Sequence, residues 1–158
     1  MKKLLLLVLA LVLSACSAVA SADEPKSEVE LAREKWQAAD VSHYRFELFI
    51  SCFCVFNENM PLVIEVDNGE VVSMEYQNGA EIDPQFLELF NRYATIDKLF
   101  DGLESSFDFA GDDQGAAEKV TVEYDATYGF PTKIDIDFVE LAIDDELYLT
   151  ISNFEALP

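Results

Sequence analysis

From Tyr44 onward, apolar and polar residues alternate one for one. Tyr44, Phe46, Leu48, Ile50, Cys52 and Cys54 fall in one set, and Arg45, Glu47, Phe49, Ser51 and Phe53 in the other. Successive strand side chains point to opposite faces. The pattern therefore predicts a strand whose first set faces the core, with both sulfurs at the core or its rim. Pro61 breaks the run. Leu62 to Val66 and Val71 to Tyr76 then flank Asn68-Gly69, a hairpin signal. A two-residue loop pairs Ile64 with Ser73. A three-residue loop, with Gly69 left-handed, pairs Ile64 with Val72 and Leu62 with Met74. Only the second keeps one face apolar, so a type I turn with a bulge at Gly69 is expected.

Helical spacing appears on either side of this block. Ser27 and Glu30 form a capping box, and Val29, Ala32, Trp36 and Ala39 make one stripe behind it. Trp36 is read as the anchor of this helix on the sheet. Asp83-Pro84 reads as the N-cap and first residue of a short helix carrying Phe86, Leu87 and Phe90. Thr95 caps a second, with Ile96, Leu99, Phe100, Leu103 and Phe107 on its apolar side. Gly111 to Glu118 reads as a loop.

Three further alternating runs are expected as strands: one around Val120, Val122 and Tyr124, one around Ile134, Ile136 and Phe138, and one around Leu147, Leu149 and Ile151. Tyr128 to Pro131 and Asp144-Asp145 separate them. The expected class is α+β, a single domain over residues 27–158. Its order is helix, three strands, helix, three strands, with helices packed on one face of an antiparallel sheet. The two halves suggest a weak structural repeat.

Residues 1–15 stand apart from this domain. Lys2 and Lys3 precede an apolar run from Leu4 to Leu13, too short to span a bilayer comfortably. It ends in Leu13-Ser14-Ala15-Cys16, which resembles the bacterial lipobox. The expectation is a signal peptide over 1–15, lipid on Cys16, and a flexible tether through residue 26. Acyl chains make such an anchor effectively permanent. Ser17, where an Asp would favour inner-membrane retention, points to the outer membrane, facing the periplasm.

Charge narrows the partners. The formal net charge is −21, and removing Lys2 and Lys3 takes it to −23. Such a surface repels nucleic acid and anionic headgroups and favours basic partners or divalent cations, and its plainest reading is solubility.

A string of residues carries a resemblance. It runs through Trp36, Tyr44-Arg45-Phe46, Cys52-Phe53-Cys54, Pro61, the run from Val63 to Val72, Thr95 to Phe100, Tyr124-Asp125, and Tyr128 to Thr132. Together these resemble a family of bacterial secreted proteins and lipoproteins catalogued as domain of unknown function 6174. The similarity spans Ser27 to Phe154. It implies a single extracytoplasmic domain and no particular activity.

Candidate chemistry is sparse. With Cys16 lipidated, Cys52 and Cys54 remain. An oxidising compartment favours a disulfide, but residues two apart in a straight strand lie roughly 6.5–7 Å apart at Cα, the upper limit for a bridge. A bridge therefore needs a bend. A metal-binding or redox dithiol and a pair of buried thiols stand as the alternatives, with Met60 and Met74 as further soft ligands for Cu(I). Two thiolates are too few for a closed zinc site. His43, the single histidine, reads as a turn residue. Glu123, Asp125, Asp135, Asp137 and Glu146 read as a solvated sheet face rather than an acid–base pair or calcium site. No nucleophile-elbow motif occurs.

No enzyme activity, cofactor or metal is expected. The preferred reading is a tethered binding or assembly module. Its binding face would be Arg45, Phe49, Phe53 and Tyr148, exposed aromatics ringed by charge. Its partners would be the membrane, through the lipid, and a basic or amphipathic protein. The alternative is a thiol-based redox or soft-metal protein using Cys52 and Cys54.

Overall fold

The computed structural model describes residues 25–108, 115–139 and 146–158. Helix α1 (Glu28–Ala38) leads into strand β1 (His43–Ser51), a 3-10 turn (Asn57–Asn59), β2 (Leu62–Asp67) and β3 (Glu70–Tyr76). Helices α2 (Pro84–Asn91) and α3 (Ile96–Glu104) follow, then β4 (Lys119–Tyr124), β5 (Pro131–Asp137) and β6 (Leu147–Ala156). The leader, Cys16, the tether up to residue 24, the stretch 111–114 and Asp144-Asp145 lie outside the described residues.

All six strands join one antiparallel sheet in the order β3-β2-β1-β6-β5-β4. With the three helices among the described residues, this is a single-domain α+β fold. Among the described residues, no helix is long and apolar enough to cross a membrane. The two helices expected from Asp83-Pro84 and from Thr95 both form, where the expected element order counts a single helical segment. The chain turns at residues 92–95, and the Thr95 hydroxyl starts α3 by accepting from Lys98 N–H at 3.2 Å. The expected repeat is also absent from the topology. In the first half the first strand is central; in the second half the last strand is. Two tandem copies would place corresponding strands alike.

The phase of β1 follows from its composition. Tyr44, Phe46, Leu48 and Ile50 are buried, whereas Arg45 and Phe49 are exposed. The helices meet the buried set. Trp36 of α1 packs edge-on against Tyr44, Phe130 and Phe154, with ring centroids 5.3, 6.1 and 5.9 Å away. Phe90 of α2 packs against Phe56 and Tyr76 at 5.0 and 6.0 Å. The Tyr44 hydroxyl accepts from Ile96 N–H at the start of α3, at 3.1 Å. Burial pushes the Tyr44 phenol up to about 12, so it stays neutral while it satisfies that orphan donor.

Four local expectations are corrected. The β2–β3 hairpin uses a two-residue loop, with Asn68 at φ 50 and Gly69 at φ 81. This is the primed turn whose twist suits paired strands. Asp67 pairs with Glu70 and Val66 with Val71; the register then slips, pairing Glu65 with Ser73 and Ile64 with Met74. Val72 is therefore the bulged residue, and it is exposed. Val71 takes the apolar side directly from the turn, and the bulge brings Met74 and Tyr76 to the same side, the task assigned by sequence to the turn. Ala39 is not on the α1 stripe; it is the exposed C-cap. Phe107 is buried, but α3 ends at Glu104, and its N–H reaches back to the Gly102 carbonyl at 2.7 Å. Asp125 lies just past β4. Its carboxylate accepts from the Thr127 and Tyr128 N–H groups at 2.8 and 2.6 Å, so it builds a turn.

A second bulge shapes the central pair. Glu47 faces Ser152, yet Arg45 faces Glu155. Asn153 absorbs the extra residue at φ 50. Beyond it the inward positions switch from odd to even, which sends Phe154 under Trp36.

Candidate functional site

The outward face of the central strands is assembled from the polar half of the alternation. Arg45, Glu47, Phe49 and Ser51 of β1 stand opposite Glu155, Ser152, Thr150 and Tyr148 of β6. Phe49 is 39% exposed and Tyr148 42%. They are diagonal neighbours across this pair, close enough for aromatic side chains to act together.

Beyond Ser51 the strand ends and the chain bends. The Cys54 N–H donates to the Cys52 carbonyl at 2.8 Å, and the Asn57 amide donates to the same oxygen. The bend draws the two Cα atoms to 5.2 Å, and Cys52 and Cys54 are joined in a disulfide. Both are partly buried against the core. The bend also settles where Phe53 and the residues after Cys54 go. Phe56 turns inward against Phe86 and Phe90. Phe53 and Val55 turn out and are 94% and 85% exposed.

Val55 was missed in the sequence. Its signal was present: with the strand phase held and a bridge closing Cys52 to Cys54, the alternate positions 53 and 55 both point away from the sulfurs.

The charges around these apolar groups are mostly acidic. Arg45 pairs with Glu155 at 2.8 Å, and Lys133 with Asp135 at 3.2 Å. Glu47 accepts from the Gln77 amide at 2.7 Å. A shallow hollow of about 220 Å3 beside Tyr148 is lined by Lys119, Thr121, Asp135, Asp137 and Glu146. Glu58, on the 3-10 turn three residues past Val55, is exposed. The sequence-predicted residues Arg45, Phe49 and Tyr148 thus share the sheet face, and Phe53 stands at its end.

Among the described residues, no group of three or more His, Cys, Asp or Glu is placed to hold a metal ion. His43 opens β1 instead of sitting in the turn before it. Its Nε2 lies 2.9 Å from a Glu65 carboxylate oxygen and its Nδ1 3.1 Å from the Pro158 carbonyl oxygen. Both neighbours are acceptors, so only the imidazolium donates to both. The hydrogen bond to Glu65, then that to Pro158, raises the His43 pKa above its ordinary 6.5. This contribution to stability is full below the unfolded value and is lost as pH rises through the folded one. NMR titration should find the imidazole pKa raised, and Glu65→Gln should bring it down. An unshifted value in the wild type would exclude the bridge.

A second hollow, of about 530 Å3, lies between α2 and α3, lined by Glu88, Asn91, Arg92, Lys98, Asp101, Gly102 and Ser105. It mixes both signs of charge, and none of its residues belongs to the sequence-predicted face.

No curated protein matches the chain, and no solved structure does. A family model does match, described as a family of unknown function (DUF6174), and it covers residues 28–156. That span runs from the first residue of α1 to the last of β6, and so takes in every strand and helix described above. The chain therefore belongs to the family of unknown function DUF6174.

Proposed function

We propose that this chain is a lipid-anchored cell-envelope protein that binds a basic or amphipathic protein partner on its open sheet face and catalyses no reaction. In this reading Cys16 carries the lipid and the outer membrane holds it. The helices lie on one side of the sheet and leave the other for the partner. The observation that carries the reading is the set Phe49, Tyr148, Phe53 and Val55: exposed apolar groups at one end of a polar sheet face on which Asp135, Asp137 and Glu146 stand beside Tyr148. Soluble proteins bury or break up such groups unless they are used.

Affinity capture from bacterial envelopes tests it. The full lipidated chain should retain a partner that Phe49→Ser/Phe53→Ser loses, with circular dichroism showing that both proteins are folded, since Phe53 is 94% exposed but Phe49 only 39%. Equal capture by the two proteins would remove the face from consideration. Metabolic labelling with palmitate should mark the wild type and not Cys16→Ser.

The disulfide supports a second reading, a thiol-exchange or soft-metal protein. Titrating free thiols with and without reductant, and measuring copper uptake by the reduced chain, separates the two. A bond inert to dithiols, with no copper bound, would end this alternative.

A further inference from the structure

The disulfide-closed bend at the end of β1 is the most exposed apolar feature among the described residues, and it is also covalently fixed. Phe53 sits inside a three-residue ring closed by Cys52 and Cys54. Two hydrogen bonds converge on the Cys52 carbonyl, from Cys54 N–H and the Asn57 amide. Phe56 pins the far side into the core. A ring held this way loses little conformational freedom when it is buried by a partner. Interfaces draw most of their affinity from a few such aromatic anchors, ringed by residues that exclude water.

We infer that the Phe53–Val55 turn is the anchor by which this face grips a cationic amphipathic segment of another protein, and that opening the Cys52–Cys54 disulfide weakens the grip. The inference rests on the binding-module reading above and deepens it. The occupant follows from charge and shape. Asp135, Asp137 and Glu146 line the hollow beside Tyr148 together with Lys119, Glu47 shares the outward face of β1 with Phe49, Glu58 is exposed three residues past Val55, and the whole chain carries −21. A segment with Lys or Arg on one side and Leu-like residues on the other meets both. Anionic headgroups would be repelled by the same carboxylates. Opening the bond is a thiol–disulfide exchange. A dithiol gives up two electrons and two protons and becomes a disulfide, while Cys52 and Cys54 become two thiols. Phe53 is then held by backbone alone.

The test uses the unlipidated full mature chain, Cys16→Ser, and a synthetic Lys/Leu amphipathic helical peptide, with affinity measured by calorimetry and contacts by amide NMR. The oxidised chain should bind the peptide, with the largest shifts at Phe53 and Val55. Phe53→Ser/Val55→Ser should weaken binding about tenfold or more. Dithiothreitol should weaken the wild type similarly and leave the double variant unchanged. Circular dichroism checks that each form stays folded, and the serine variants report on the anchor even if reduction disturbs the loop.

Four results would overturn the inference. If Phe49→Ser/Tyr148→Ser abolishes binding while Phe53→Ser/Val55→Ser does not, the anchor is wrong and the binding face stands. If reduction changes nothing, the redox half fails. If no peptide binds, the binding-face reading falls with it. If Phe53 instead drives binding to phosphatidylcholine vesicles, the turn is a membrane contact and the protein-partner assignment is wrong.

Discussion

Trp36→Ala is expected to lower stability by about 3–5 kcal/mol, the range for deleting a buried aromatic. The reason is where its ring sits. It touches Tyr44 of β1, Phe130 just before β5, and Phe154 of β6. One side chain thus ties α1 to strands from both halves of the chain. A domain of this size is held by roughly 5–15 kcal/mol in total, so the variant should sit near the edge of folding at 37 °C. Urea titration followed by circular dichroism measures this. A loss below about 1 kcal/mol would mean that α1 does not depend on Trp36 for its docking.

Gly129→Ala is expected to cost about 2–4 kcal/mol, combining backbone strain with overpacking. Gly129 has φ +85, and an added Cβ would lie 2.7 Å from the Ala32 carbonyl oxygen and 2.9 Å from Lys35 Cβ. Neither neighbour can yield cheaply, because both belong to α1. Gly69→Ala is the control. It has φ +81 with open space around it, so only the left-handed penalty of about 1–2 kcal/mol applies. Thermal melts of the two variants should therefore differ. Equal shifts would show that α1 lies farther from the β4–β5 loop than the structure has it.

Much of the fold was legible because it depends on local alternation. Tyr44 to Ile50 declare their faces residue by residue, and Ser27 with Glu30, Asp83 with Pro84, and Thr95 mark helix starts by chemistry that acts within three residues. What was not legible arises where one residue is inserted into a ladder. A bulge at Val72 and another at Asn153 reverse the phase of everything beyond them. Neither residue type announces this, since the choice is made by the strand across the way. Strand order was invisible for the same reason. The candidate face was legible in part. Phe49, Phe53 and Tyr148 followed from phase, whereas the pairing of Arg45 with Glu155, 110 residues away, needed the register of β6. The cysteine pair could not be settled by spacing, because a bridge there depends on a bend that strand geometry alone does not supply.

The placement of β6 between β1 and β5 constrains the route to the native state. Until this segment arrives, the chain can form only two separate pieces, a β1–β2–β3 meander and a β4–β5 hairpin, each with a raw inner edge. The contacts that fuse them span most of the polypeptide, and such long-range closure is slow. Assembly should therefore be late and all-or-none. A ribosome-bound or truncated chain ending before residue 147 should remain protease-sensitive throughout, including in the half that already contains Trp36 and the hairpin.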